Sequence, residues 1–174
     1  MKALTLWNPW AALVAWGYKT IETRCWETSY RGHIAIHAAA RKSGQLRRIA
    51  QALPCVTEYG EGYDPVLHGI TADYDRLAFG SVVAVGELVT CFQFTESIKY
   101  RLSDFELAIG DYTPGRFAWV LDNVRPLSVP VPAKGYQRVW NWTPPDDVDV
   151  SLHPTNREAV EDAMYWGMLH EPKE

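Results

Sequence analysis

At 174 residues, with 47% hydrophobic and 22% charged residues, the chain suits one domain with a sizeable core and is too apolar to be disordered. Its net charge of −4 argues against a protein that coats long nucleic acids by charge alone. No run approaches the 18 or so apolar residues of a membrane span, and the opening MKALTLWNPW lacks a signal-peptide core and cleavage site, so a cytosolic protein is expected.

In chain order, ALTL (3–6) reads as a short strand. Asn8 then suits an N-cap and Pro9 the first helical position. Trp10, Leu13 and Val14 supply the apolar stripe of a short helix that Gly17 can end. The stretch WGYKTIETRCW (16–26) favours a strand. Alternation puts Thr20, Glu22, Arg24 and Trp26 on one face and Ile21, Thr23 and Cys25 on the other, with Ile21 and Cys25 facing a core. Lys19 has the wrong parity for the Glu22–Arg24 face, but it follows a glycine closely enough for the chain still to be turning.

RGHIAIHAA (31–39) predicts a second strand, with His33, Ala35 and His37 on one face and Ile34 and Ile36 on the other. A helix over 43–53 has Leu46, Ile49, Ala50 and Leu53 as its stripe and Pro54 as its stop. Residues 54–79 are a Gly-, Tyr- and Asp-rich excursion with room for one short helix. SVVAVGELVTC (81–91), nearly continuously apolar, predicts a strand buried on both faces. Residues 95–110 have no clear period. RFAWVLD (116–122) predicts a strand, VRPLSVPVPAKG an extended Pro-rich run, and Thr155 with Glu158 a capping box for a last helix with Val160, Ala163 and Met164 inward. No βαβ alternation recurs, so the expected class is α+β with a small mixed or antiparallel barrel-like sheet.

Several chemistries fail on spacing. Gly17-Tyr18-Lys19-Thr20 lacks the Gly-Lys pair and upstream glycine of a P-loop. His33 and His37, four apart on a strand, stand roughly 13 Å apart and cannot share a metal. There is no G-x-S-x-G elbow for a serine esterase. Cys25, Cys55 and Cys91 are too scattered for a disulfide framework or a zinc pair and read as buried free thiols. No metal or cofactor is expected.

Charge is uneven along the chain. Residues 18–48 carry seven lysines and arginines against two glutamates, which could focus an anionic ligand locally in an otherwise acidic protein. The eight tryptophans and nine tyrosines mostly belong to the core, but Trp26, Trp140 and Trp142 stand beside polar or basic residues, where an aromatic face could stack a base. Lys19, Glu22 and Arg24, set between Trp16 and Trp26, could be a surface ion-pair strip or a site whose charges tune one another.

The pattern G-x-K-x-x-E-x-R, here Gly17, Lys19, Glu22 and Arg24, resembles the signature of the ASCH domain (activating-signal-cointegrator homology), a PUA-like β-barrel with peripheral helices. LTLWNPWAALVAWG, YRGHIAIHAA, GSVVAVGELV and FAWVLDNVRPLSVPVPAKGYQRVWNW are similar to further family segments in the same order. The resemblance covers most of residues 3–142, which leaves 143–174 as an extension with a helix packed on the same domain.

The resemblance implies a cleft for single-stranded RNA or a modified nucleoside, with no membrane partner. Lys19, Glu22 and Arg24 match the family's charged set, and Lys134, Gln137 and Trp140 are implied to line the same cleft. Arg24, Lys19 and Lys134 would hold phosphate or a base edge, with Trp140 or Trp26 stacking. Some small bacterial members are amidohydrolases of N4-acetylcytidine, and others are described as ribonucleases. A hydrolase would use Lys19 as general base, Glu22 to position water or tune the lysine, and Arg24 to stabilise the oxyanion. Glu22 departs from the acetylcytidine enzymes, which carry a threonine at the matching position. A non-catalytic interaction domain, with the charged strip merely structural, is the third expectation.

Overall fold

The computed structural model describes residues 1–53 and 64–152. The chain enters through β1 (Lys2–Leu6) and passes a cis Asn8–Pro9 peptide into the short helix α1 (Trp10–Ala15). Asn8 does not cap this helix, contrary to expectation. Its side-chain amide donates instead to the Ala78 carbonyl at 2.7 Å, and Pro9 occupies the capping position with no side-chain hydrogen bond. Gly17 ends the helix as expected, in the left-handed region at φ +77°. The Tyr18 and Lys19 amides then both fold back onto the Leu13 carbonyl, at 2.9 and 3.2 Å. The chain is therefore still turning at Lys19, and β2 begins only at Ile21 and runs to Arg24.

β3 (Gly32–Ala38), β4 (Ser81–Gln93), β5 (Phe117–Pro132) and β6 (Val139–Asn141) complete one six-stranded sheet in the order β2-β5-β4-β3-β1-β6. Only β1 and β3 run parallel, so the sheet is mixed, as the α+β reading requires. The long β4–β5 hairpin slips register at three places, and such irregularities bend and coil a sheet. Curling brings β2, at one end of the strand order, towards β1, next to the other end: Arg24 on β2 donates from its guanidinium to the Thr5 carbonyl on β1 at 3.0 Å. The result is a half-barrel with a seam between β1 and β2. The Pro-rich run lies within β5, where Pro126, Pro130 and Pro132 follow the short stretch paired with β2. Beyond that stretch β5 has β4 on one side only in the sheet, so prolines without an N–H are tolerated.

The concave face buries Leu4, Leu6, Ile34, Ile36, Leu88 and Trp119 around Ala11, Val14 and Ala15, so α1 plugs the half-barrel. Ala3, Ala35, Val82 and Val85 point the other way and are covered by Trp142, Val148, Val150 and Leu152. β4 is thus buried on both faces, as its continuous apolar run predicts. The described part of the extension, 143–152, packs on the convex face.

α2 (Gly44–Ala52) is capped by Ser43, and α3 (Pro65–Ala72) by Asp64. The aperiodic 95–110 region holds two helices too short to show a period, α4 (Glu96–Lys99) and α5 (Asp104–Ala108). Cys91 is buried, but Cys25 is exposed because β2 stops at Arg24 and strand parity no longer governs it. Pro54, Cys55 and the expected last helix lie outside the described residues. Among those described, no helix is long and apolar enough to cross a membrane.

Candidate functional site at the barrel seam

The turn after Gly17 swings Lys19 into the seam, where it is only 2% exposed. Its Nζ donates to Glu106 Oε1 at 3.0 Å and to the Tyr112 hydroxyl at 2.8 Å. A cation this deep needs such partners to offset lost hydration. Glu106 comes from α5, where Ser103 caps its amide, and Tyr112 from the loop that follows. The other oxygen of Glu106 accepts from the Thr20 amide at 3.1 Å. Tyr112 contacts Glu106 through a short hydrogen bond, and burial followed by that carboxylate pushes its pKa far up, so the phenol keeps its proton. The space here is tight: a Cβ on Gly110 would meet the Tyr112 ring and lie 2.8 Å from Lys19 Nζ.

Glu22 and Arg24 stand side by side on β2, as alternation predicts, with Glu22 Oε1 3.1 Å from Arg24 Nε. That approach is an ion pair, although the buried Nε–H is not aligned on the carboxylate as in a good hydrogen bond. Arg116, just before β5, donates to the Thr23 carbonyl at 2.9 Å and pairs with Asp111 at 3.2 Å.

Burial raises the pKa of Glu22 above its ordinary value of 4.5, although Arg24, Lys19 and Arg116 pull it down. The folded protein therefore holds this proton more tightly than the unfolded chain. The stability that this proton supplies is complete below the unfolded pKa and is lost as pH rises towards the raised folded value. Urea midpoints of wild type and Glu22→Gln measured upward from pH 4.5 should show wild type losing ground to the variant. A constant difference would contradict a raised Glu22.

Lys19, Glu22, Arg24 and Arg116 line a cavity of about 330 Å³ whose walls also include Thr5, Trp7 and Trp10, with Glu106 and Tyr112 behind Lys19 rather than in the wall. That volume is at the small end for ligand pockets. Trp10 is pinned by its indole N–H on the Ile109 carbonyl at 2.8 Å, whereas Trp7 is 47% exposed. The site thus joins two aromatic walls to a floor rich in donors.

Of the residues singled out in the sequence, Lys19, Glu22 and Arg24 converge here. Trp26, Lys134, Gln137 and Trp140 are not among the lining residues. Trp26 packs edge-on against Trp119 at 4.6 Å. Trp140 stands behind the wall, donating to Thr5 Oγ1 at 3.0 Å. Lys134 and Gln137 are exposed on the β5–β6 loop.

Sequence reasoning missed Glu106, Tyr112, Asp111, Arg116 and the wall role of Trp7 and Trp10. Ser103-Asp104-Phe105-Glu106 has the S-x-x-E form of a capping box, a signal that could have marked the short helix. Nothing local marks where its glutamate points: it receives the Thr20 amide and Lys19, some 87 residues away.

A model of the ASCH domain family matches residues 4–129. The human protein activating signal cointegrator 1 is 25% identical over 138 residues, covering 79% of this chain and 21% of that protein. The chain therefore spans about a fifth of that relative's length. A crystal structure of ASCH from Zymomonas mobilis aligns over 94% of this chain and 93% of its own, with 16% identity and a TM-score of 0.44. Two mutant forms of the same protein align with TM-scores of 0.41.

Proposed function

The chain belongs to the ASCH domain family, and from that premise we propose that the seam cavity recognises single-stranded RNA or a modified nucleoside. The family is associated with RNA binding. The observation that carries the reading is the convergence of the Arg24 guanidinium and two tryptophan walls on one half-open cavity. A base edge or phosphate oxygen suits the guanidinium fork of Arg24, and an aromatic wall suits a base face.

Titration of ribonucleosides, N4-acetylcytidine included, and of short single-stranded RNAs tests this. Arg24→Ala should weaken binding by about 10- to 100-fold, as expected for a charge-assisted hydrogen bond of roughly 1.5–3 kcal/mol. Arg24→Lys should keep the fold and recover only part of the affinity, because a lysine cannot reproduce the planar fork. Equal binding by all three proteins, or none by wild type, sinks the reading.

Hydrolysis of an acylated nucleoside or an RNA phosphodiester is a second reading, favoured by Glu22, whose raised pKa suits a group that exchanges protons with a ligand. Lys19 supports it less, since its Nζ already donates to Glu106 and Tyr112. Loss of turnover of N4-acetylcytidine or RNA in Glu22→Gln, with binding retained, would favour this second reading.

A further inference from the structure

Several surface cations of this acidic protein sit in ion pairs. Arg47 pairs with Asp75, Arg76 with Asp73, Lys99 with Glu96 and Arg125 with Asp149. Arg41 and Arg138, like Lys42, Arg48 and Lys134, make no ion pair among the described residues, and these two arginines each lie over a tryptophan. The Arg41 guanidinium is 5.2 Å from the centre of the Trp7 ring, and that of Arg138 is 5.7 Å from Trp26. Both arginines are exposed.

Their places in the sheet are informative. β1 lies between β3 and β6, and its C-terminal end supplies Thr5 and Leu6 to the cavity wall, with Trp7 just beyond. Arg41 follows the end of β3, and Arg138 precedes β6. The cavity mouth is therefore flanked on the two sides of β1 by a cation held over an aromatic face. On the β6 side Trp26 follows Arg24 by two residues, and Lys134 lies 5.5 Å over the exposed Tyr136. Cations without counterions, interleaved with aromatic faces, bind the phosphates and bases of an unpaired strand. A free nucleoside has no phosphate and would use neither arginine.

Building on the recognition site proposed above, we infer that its ligand is an internal nucleotide of a single-stranded RNA chain, whose neighbours run across the mouth over Arg41–Trp7 and Arg138–Trp26. The two flanks grip the strand while the cavity takes one nucleotide. Arg138 has a left-handed backbone, at φ +60°, so asparagine is the replacement that keeps that conformation most readily while removing the charge.

The test compares a degenerate ten-nucleotide single-stranded RNA pool, the matching DNA pool and the ribonucleosides, N4-acetylcytidine included, by anisotropy and calorimetry at several salt concentrations. Wild type should bind the RNA pool at least tenfold more tightly than any nucleoside, and no less tightly than DNA. The Arg41→Gln/Arg138→Asn double variant should lose that advantage and leave nucleoside affinity unchanged. Its salt slope should fall by roughly 1.4, for two phosphate contacts on a single strand. Charge reversal at Arg41→Glu should weaken RNA binding further. Wild type that binds nucleosides as tightly as RNA, prefers DNA, or has a salt slope indifferent to the double substitution would overturn this inference and leave the recognition site standing. Absence of binding to every probe would overturn both.

Discussion

Lys19→Ala is expected to lower the stability of the protein by about 3–5 kcal/mol, the cost of stranding one partner of a buried ion pair. The substitution leaves Glu106, itself nearly buried, with Tyr112 and Thr20 but without its counter-charge. A chemical-denaturation midpoint measures this directly. The double variant Lys19→Met/Glu106→Leu should recover much of the loss, because replacing both members of a buried pair with apolar groups is often close to neutral. A Lys19→Ala variant as stable as wild type would show that the pair contributes no net stabilisation. The prediction also bears on function: loss of ligand binding in Lys19→Ala alone would confuse unfolding with loss of a contact. The double variant separates the two, since a restored fold without binding assigns Lys19 to the ligand.

Trp119→Ala should cost about 3–5 kcal/mol, the usual range for removing a large aromatic from a well-packed core. Trp119 is fully buried, pairs with Glu22 across the β2–β5 ladder and packs edge-on against Trp26. The void would open beside Glu22, on the same face of the β2–β5 ladder, so ligand affinity should fall together with stability. Trp119→Phe, which refills most of that space, should retain most of both. Thermal melts and nucleoside titrations on the three proteins check it. Stability lost without any change in affinity would mean that β2 is held by its turn and by Glu106 rather than by Trp119.

The half-barrel and its seam were legible to different degrees, for physical reasons. Strand period placed Glu22 beside Arg24 because both lie within β2, where alternation holds. The same rule misplaced Cys25, one residue past the strand end. Lys19 was readable only through Gly17, whose turn releases the next residues from strand parity. Trp7 and Trp10 read as ordinary packing residues around a proline, and nothing in a helical stripe tells a cavity wall from a core. Glu106 and Tyr112 reach Lys19 across 87 and 93 residues, a pairing that depends on how the sheet curls. Arg41 counted among the charges of 18–48 and Arg138 did not stand out, and the tryptophan under each emerges only when the neighbours are in place.

The prolines of β5 have a consequence beyond being tolerated there. A sixteen-residue strand with much of one side outside the ladder is a ready template for a strand from another molecule. Pro126, Pro130 and Pro132 remove the N–H donors that such a guest would need, and the register slip between Val82 and Ala84 breaks the line of the strand as well. Together they make the longest strand of the protein a poor seed for self-association, and the chain can carry an exposed Val129 on that stretch without inviting a neighbour to zip onto it.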